Sequence, residues 1–323
     1  MIEEKRINEP FQRVNQRHLC PVCGKPDWCA FNSTIAICMR VESKYPIKNG
    51  GWLHKLSEPL LAEALAERTE DKKEIAPLEV RDEIYKRFLN LLTLSAEHIQ
   101  ELLKRGLNTD QIKEMRSLSA AEKPWLICQK LIDMGYELRG VPGFYRAPNK
   151  HGGYYWTFKM KPGFILPIKD KTKKIQALQI RLDRPDSKGK YRLFSSSNKR
   201  AGSCSGVPLH VAIPREIKDR RVWITEGPLK ATVAAEYLEA VVLGLIGATT
   251  WRAVPEILKS RKPEVVIAFD MDQQSNCWVG RAVKELSGQL SLSGHKVTLA
   301  TWIGPKGIDD AVVSGVNIKY EEV

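Results

Sequence analysis

The sequence lacks several features that would restrict its function at once. None of its 323 residues belongs to an apolar run of about 18 residues, the length that a membrane-spanning helix needs. The first 20 residues are charged and contain no apolar segment, so we expect no signal peptide and a cytoplasmic location. The seven cysteines are too few for a disulfide-stabilised fold, and the Gly-x-x-x-x-Gly-Lys-Ser/Thr loop of P-loop motors is missing. These absences argue against a membrane protein, a secreted disulfide-rich protein and a motor enzyme.

The positive charge of the chain is concentrated in one segment. The whole chain has 51 basic and 38 acidic residues, a net charge of +13. Residues 139–215 contain 17 basic and three acidic residues, a net charge of +14, together with nine aromatic residues such as Tyr154, Trp156 and Tyr191. Basic groups interleaved with aromatic surfaces are typical of proteins that bind single-stranded nucleic acid. The alternative, a solvated lysine-rich face, does not account for the aromatic residues.

Changes in composition divide the chain into four parts. Residues 1–56 hold four of the seven cysteines, and residues 57–80 have the composition of a linker. Residues 81–220 combine helical patterns with short β-like runs, and residues 221–323 alternate apolar strands with helices. We therefore predict a multidomain protein of α+β and α/β class. It would consist of a small zinc-ribbon-like N-terminal domain, a helical and antiparallel basic subdomain, and a C-terminal α/β domain with a mainly parallel sheet.

Local patterns place the first helices of the 81–220 part. Ile84 and Phe88 begin an apolar series at helical spacing. Ser95 is expected to cap a second helix that ends at Gly106, and Thr109 is expected to cap a third.

Three acidic residues close predicted strands in the C-terminal part. Glu226 follows the first strand, and Asp270 and Asp272 follow the third. In open α/β sheets, sites form at the carboxyl ends of strands, and two residues separated by one face the same way in extended chain. Hard oxygen ligands at such an edge suit Mg²⁺ or Mn²⁺. A single Asp-x-Asp pair is common, however, and often only caps a helix or a turn.

The order of these elements resembles the TOPRIM domain, which bacterial-type primases and topoisomerases share. The resemblance covers about residues 220–315 and implies that Glu226 acts as general acid/base, while Asp270 and Asp272 bind the divalent metal. Asp309 and Asp310 are candidates to complete the metal site, although they would equally suit the start of a helix. DnaG-type primases usually have an acid four residues after the glutamate. This chain has Lys230 there, which favours a nucleotide or DNA phosphate contact at that position.

The segment before this domain resembles the basic surface of DnaG-type primases. The run Gly189 to Arg200, Gly-Lys-Tyr-Arg-Leu-Phe followed by a serine-rich turn, carries the likeness. The resemblance implies that a strip of basic residues contacts template or nascent-strand phosphates, with Lys190 the strongest candidate. The strip consists of Arg181, Lys190, Arg192 and Lys199.

The N-terminal cysteines have the spacing of a zinc site. Cys20 and Cys23 form a Cys-x-x-Cys-Gly knuckle, and Cys29 and Cys38 can complete a set of four. Because the second pair does not repeat the first spacing, His54 and His18 stay open as alternatives to Cys29. A hydrophilic segment of this size has little apolar core, so we expect it to need the metal in order to fold.

Taken together, the motifs resemble the compact bacterial-type TOPRIM primases of phages, plasmids and integrated elements (the DUF3854 group). The motifs are CPVCG…DWC, EGPLKA, Asp-x-Asp and KGIDD. The resemblance implies a nucleotidyltransferase that makes short RNA primers on single-stranded DNA from NTPs with Mg²⁺ or Mn²⁺, beside a separate helicase. Two other interpretations stay open: a metal-dependent TOPRIM nuclease, and a non-catalytic accessory protein that binds single-stranded DNA. Lys230 keeps the last one open.

Overall fold

The structure is a computed structural model that describes most of the chain. The described residues are 11–15, 18–32, 34–47, 50–56, 74–119, 123–150, 153–159, 161–187, 189–259, 262–271 and 277–322. Most of the predicted linker 57–80 lies outside them. The chain forms two compact units, Met1–Lys72 and Lys73–Val323, which we treat separately. Within the described residues, no helix has the length and apolar character needed to cross a membrane.

The first unit is a small antiparallel sheet with the strand order β1-β2-β3-β4. Its strands are β1 (Gln12–Arg13), β2 (Ala30–Phe31), β3 (Ile35–Cys38) and β4 (Trp52–Lys55). Its apolar interior is limited, and three of the four buried residues of one cluster are cysteines: Val14, Cys20, Cys29 and Cys38. Cysteine sulphur therefore takes the place that aliphatic side chains hold in larger domains.

The second unit begins with four helices. They are α1 (Leu78–Asn90), α2 (Ala96–Lys104), α3 (Thr109–Ile112) and α4 (Pro124–Asp133). Ile84 and Phe88 are buried on α1, as their spacing predicts. Ser95 caps α2 by accepting the His98 N–H, also as predicted. The expected cap at Thr109 is wrong: Asn108 caps α3, because its side chain accepts two backbone N–H groups in a capping box with Gln111.

These helices pack on two antiparallel sheets. One has the order β10-β9-β8-β5 and the other is the hairpin β6-β7. The strands are β5 (Arg116–Leu118), β6 (Phe144–Pro148), β7 (Tyr154–Phe158), β8 (Gly163–Lys169), β9 (Ile175–Asp186) and β10 (Gly189–Leu193). A cluster of four phenylalanine rings, Phe88, Phe144, Phe158 and Phe194, holds α1 against both sheets with centroid separations of 5.2 to 6.1 Å.

A six-stranded sheet forms the C-terminal part, with the order β11-β13-β12-β14-β15-β16. The strands are β11 (His210–Ala212), β12 (Asp219–Glu226), β13 (Ala240–Leu245), β14 (Val265–Ile267), β15 (Val297–Thr301) and β16 (Lys319–Glu322). The four central strands are parallel and the two edge strands are antiparallel to their neighbours. The prediction of a mixed α/β chain with a mainly parallel C-terminal sheet is thus confirmed at this level.

Helices connect the strands of this sheet. They are α5 (Pro228–Leu238), a 3₁₀ turn (Ala248–Ala253) that continues into α6 (Val254–Leu258), α7 (Cys277–Leu292) and α8 (Ile308–Val313). The third strand is shorter than its apolar run suggests, since β14 ends at Ile267. Asp270 therefore lies three residues beyond the strand.

The two halves of the second unit share one hydrophobic cluster. Leu229 and Val233 of α5 pack with Phe164 and Leu166 of β8, and all four are buried. His210 adds a polar connection, since its Nδ1 accepts the Lys169 N–H at 3.0 Å. The antiparallel sheet and the parallel sheet are therefore joined by a continuous interior.

Candidate functional site

Two of the predicted acidic residues lie at the same edge of the parallel sheet. Strands β12 and β14 are neighbours, with Ile224 opposite Ile267. Glu226 stands two residues beyond this pair and Asp270 three residues beyond it, so both reach the carboxyl edge of the sheet. Asp272 lies outside the described residues. We call this edge, with the α8 residues beside it, the acidic edge: Glu226, Asp270, Asp309 and Asp310.

A tight connection brings Lys230 to the acidic edge. Strand β12 ends at Glu226, and α5 begins only two residues later, at Pro228. Gly227 makes this possible because its φ of 97° lies in a region that side chains disfavour. Gly244 lets α5 approach the sheet, since a Cβ there would lie 2.9 Å from the Pro228 Cα. Lys230 consequently lies in the first turn of α5.

The ammonium group of Lys230 makes a short ion pair with Asp270 Oδ1. The other oxygen of this carboxylate lies 3.7 Å from Lys306 Nζ, and the residue as a whole is 8% exposed. A backbone hydrogen bond from the Met271 N–H to the Lys306 oxygen, 3.0 Å long, fixes the two loops to each other. Asp270 is therefore held by two lysines in an almost buried position.

Asp309 is the most deeply buried acid of the edge, with 3% exposure. Among the described residues its Oδ1 has no hydrogen-bond partner. Burial raises the pKa of Asp309, the charge of Lys230 opposes this, and the neighbouring Asp310 adds to it. The structure therefore keeps a carboxylate oxygen inside the protein without a donor from the described residues. Asp310 is exposed on the same turn, and the helix cap is Gly307 rather than either acid.

This set of oxygens fits a hard divalent cation. Carboxylates are the ligands that Mg²⁺ and Mn²⁺ prefer, and a buried oxygen with no donor among the described residues costs free energy until a cation or a proton satisfies it. Asp270 and Asp309 would hold such an ion from the interior, and Glu226 stands at the same rim.

The predicted basic residues fall into two groups. Arg181 and Arg192 are largely buried and ion-paired, Arg181 with Glu101 at 2.6 Å and Arg192 with Asp186. Lys190 is exposed on β10. Lys199 is exposed as well, with its Nζ 5.5 Å from the centre of the Tyr145 ring. Of the four, the two lysines are thus the more accessible to a polyanion.

Tyr191 lies on β10 between the predicted basic residues Lys190 and Arg192. Burial of its hydroxyl raises the pKa of Tyr191, although 37% of the residue is exposed. The charges of Arg105, Arg181 and Lys230 oppose this rise, and that of Asp309 adds to it. The charges that act on the Tyr191 hydroxyl therefore belong both to the basic segment and to the acidic edge.

Sequence reasoning missed a second cationic and aromatic cluster on the hairpin β6-β7. The Arg200 guanidinium stacks 4.1 Å from the centre of the Tyr154 ring and donates to the Tyr154 hydroxyl at 3.2 Å. Arg146 contacts the same ring at 5.6 Å. Tyr154 belonged to the aromatic series of the basic segment, but Arg200 is 46 positions away from it, and Arg146 approaches it through the pairing of β6 with β7.

In the first unit, the four cysteines form a cluster. The sulphur atoms of Cys20, Cys23, Cys29 and Cys38 all lie within 4.8 Å of one another. Backbone N–H groups point at two of these sulphurs, Met39 N–H at Cys29 (3.4 Å) and Val41 N–H at Cys38 (3.3 Å). The alternative ligand His54 does not belong to this group of ligand atoms; its Nε2 lies 2.9 Å from the Val41 carbonyl oxygen instead.

The pKa values of two thiols of this cluster, Cys23 and Cys29, shift in opposite directions. Burial disfavours the Cys23 thiolate, but hydrogen bonds from the Lys25 backbone and the other three thiols stabilise it and lower its pKa to about 7. Burial raises the pKa of Cys29 to about 12, and the hydrogen bonds and charge of its cysteine neighbours add to the rise. Four adjacent thiolates need a cation to neutralise them, so the donor set fits tetrahedral Zn²⁺.

One exposed aromatic side chain stands beside this cluster. Trp28, next to Cys29, is 78% exposed and has a φ of 70°. Left-handed backbone at a bulky residue is strained, and such strain is concentrated at functional sites.

Comparison with known proteins places these features in context. Residues 215–318 match a family described as Domain of unknown function (DUF3854). No curated protein matches the chain. The zinc-binding and RNA polymerase domains of Aquifex aeolicus primase are similar in structure, with a TM-score of 0.55 and 15% identity over 98% of this chain and 83% of that one.

The RNA polymerase domain of Mycobacterium tuberculosis primase DnaG is also similar. Bound to a double-stranded DNA oligomer with a 6-nucleotide overhang, it matches with a TM-score of 0.53 and 13% identity, over 74% of this chain and 76% of that one. Without DNA it matches with a TM-score of 0.51 and 12% identity, over 73% of this chain and 78% of that one. At such identities the likeness shows a shared fold. The resemblance to DnaG-like primases is confirmed at that level.

Proposed function

We propose that the chain is a DNA-dependent RNA primase of the DnaG-like kind, with a zinc-ribbon-like N-terminal domain and a C-terminal TOPRIM domain. The observation that carries the proposal is the acidic edge, where Glu226, Asp270 and the buried Asp309 lie at one rim of the parallel sheet, together with the exposed cations Lys190 and Lys199 of the same unit. A template strand lying along the cations would present its nucleotides to the carboxylates.

The reaction joins the 3′-hydroxyl of one ribonucleotide to the α-phosphate of the next and releases pyrophosphate. A divalent ion bound at Asp270, Asp272 and Asp309 would supply positive charge against the phosphate oxygens during this step. Glu226, the last residue of β12 at the same rim, would accept the proton of the attacking hydroxyl at its carboxylate. Lys190 and Lys199, which are exposed, would contact the DNA backbone, and the strained, exposed Trp28 would stack on a template base.

The proposal extends to partners and setting. We infer that the substrate is single-stranded DNA with NTPs, that Zn²⁺ is bound by the four cysteines, and that a separate helicase opens the duplex. From the resemblance of its motifs to the compact primases of such elements, we infer a role in replicating a phage, a plasmid or an integrated element.

The test is primer synthesis on circular single-stranded DNA with labelled NTPs and Mg²⁺. The proposal predicts short RNA products that depend on Glu226. Glu226→Gln is expected to abolish synthesis while DNA binding persists. Glu264→Gln is the matched control, because Glu264 precedes β14 at the opposite edge of the sheet, where it pairs with Lys296 at 3.4 Å. Template cleavage instead of synthesis would identify a nuclease, and binding without chemistry would identify an accessory protein.

A further inference from the structure

The ammonium group of Lys230 lies where a cation would be expected. It is ion-paired with Asp270 Oδ1, and the Lys230 side chain is 26% exposed. A Cβ built on Gly307 would collide with Asp309 Oδ1 and come within 3.1 Å of Lys230 Nζ. Both the ammonium and the buried Asp309 oxygen therefore crowd the same point beside Gly307. A glycine is needed there because of this close approach.

Local helix energetics do not explain a lysine at this position. Lys230 lies in the first turn of α5, where the helix dipole favours negative charge. The sequence places no acid in that turn. A position that opposes the local preference owes its residue to tertiary contacts, and the tertiary ion-pair partner of Lys230 is the Asp270 carboxylate.

We propose that Lys230 is a built-in cation of the acidic edge, whose ammonium fills the position that a second divalent ion would otherwise take. The site then binds a single Mg²⁺ or Mn²⁺. This inference rests on the proposed function, since it assigns the metal stoichiometry of the same site.

The charges around the edge support this assignment. Asp270 already has one ammonium on Oδ1 and a second, from Lys306, at 3.7 Å from Oδ2. The Lys306 side chain is 62% exposed and can move away when a ligand arrives. The Lys230 side chain is only 26% exposed and starts from the first turn of α5, so its ammonium group stays beside Asp270. A divalent ion placed against both oxygens of Asp270 would meet the Lys230 charge at close range, in a position that water screens poorly.

The test measures Mn²⁺ binding by electron paramagnetic resonance on the zinc-loaded full chain, without DNA or nucleotide. The wild type is expected to bind one Mn²⁺. Lys230→Met, which keeps the length of the side chain and removes its charge, is expected to bind a second Mn²⁺ or to bind the first at least about tenfold more tightly. Lys230→Arg keeps the charge and is expected to match the wild type.

Lys169→Ala is the control for the loss of one positive charge. Lys169 is 22% exposed and ion-paired with Glu114 at 2.5 Å, so it resembles Lys230 in exposure and in having a carboxylate partner, but that partner is not part of the acidic edge. Its substitution is expected to leave Mn²⁺ binding unchanged. Unchanged or weaker Mn²⁺ binding by Lys230→Met would overturn the proposal, as would two Mn²⁺ ions in the wild type.

Thermal unfolding of Lys230→Gln gives a second readout should the methionine variant not fold. Without its ammonium, the edge has uncompensated carboxylates that Mn²⁺ can satisfy. Mn²⁺ is therefore expected to raise the Tm of Lys230→Gln by more than that of the wild type, and an equal shift would contradict the inference. A chain that makes no primers but shows this pattern would refute the proposed function while leaving the cation role intact.

Discussion

In the first unit the candidate ion ligands are themselves the interior of the fold, whereas in the second unit they stand at the rim of a sheet whose interior lies elsewhere. Cys20, Cys29 and Cys38 are among the few buried residues of the N-terminal sheet. Asp270 instead follows a strand that is buried by an extensive cluster of aliphatic residues. From this difference we expect the first site to depend on its ion for structure, whereas the acids of the second are held by the fold and by the ammonium group of Lys230.

The largest effect is expected from removing the metal of the first unit. Chelation of zinc, or Cys29→Ser, leaves adjacent thiols without a counterion and is expected to unfold the N-terminal sheet, because metal binding supplies much of the folding free energy of small metal sites. Far-ultraviolet circular dichroism and limited proteolysis of the full chain would detect this. Cys204→Ser, at an exposed cysteine of the second unit, is the control. An unchanged proteolysis pattern after chelation would contradict the expectation that the first unit needs zinc in order to stay folded.

The second unit is expected to lose chemistry and keep its fold. Asp270→Asn is expected to reduce primer synthesis by about 10³-fold or more, as the loss of a group that acts at the reacting phosphate does. The unfolding midpoint should change little in the presence of Mg²⁺. A collapse of stability instead would show that Asp270 serves structure, as the cysteines do.

The stability of the second unit is expected to depend on pH rather than on zinc. His210 is buried, and this burial together with the charge of Lys169 lowers its pKa from 6.5 to about 3. Because only the unfolded chain takes up this proton between those values, stability falls as the pH falls below 6.5. Between pH 7 and pH 5 the loss is about 2 kcal/mol.

Urea unfolding of the second unit at the two pH values measures this loss. His210→Gln is the control, since it does not titrate and should remove most of the difference. Equal pH sensitivity in both proteins would assign the effect to other groups.

The smallest effect concerns DNA contact by the first unit. Trp28→Ala is expected to weaken binding to single-stranded DNA by about 1 kcal/mol, roughly fivefold, through loss of base stacking. Fluorescence anisotropy with a labelled oligonucleotide would measure it. Trp125→Ala, at a tryptophan that is 45% exposed in the second unit, is the matched control. If both substitutions weakened DNA binding equally, the loss could not be assigned to base stacking by Trp28.

Much of the C-terminal fold could be predicted because its information is local. Apolar runs, helical spacing and Pro228 predicted the strands and helices around Glu226. The rule that sites form at the carboxyl ends of strands predicted the edge of the sheet at which Glu226 and Asp270 lie. The cysteine spacing likewise indicated four ligands, and the sulphur positions confirm that they meet.

The contacts that define the site could not be predicted, since they join distant residues. Lys230 and Asp270 are 40 positions apart, and nothing local pairs them. The charge excess of residues 139–215 does not distinguish basic residues that are ion-paired from those that are exposed. In the structure, Arg181 and Arg192 are paired with acids, and Lys190 is exposed. Asp309 could be assigned to a helix start, but its burial depends on the packing of α8 on α5.

The cluster shared by α5 and β8 has a practical consequence for dissecting the molecule. In a fragment that starts at residue 221, Leu229 and Val233 would form a solvent-exposed apolar patch. In a fragment that ends at residue 220, Phe164 and Leu166 would be exposed in the same way. Recombinant fragments cut at that point are therefore expected to aggregate, even though the pattern of the sequence changes there. The place to divide this polypeptide is before residue 73, where the compact unit begins.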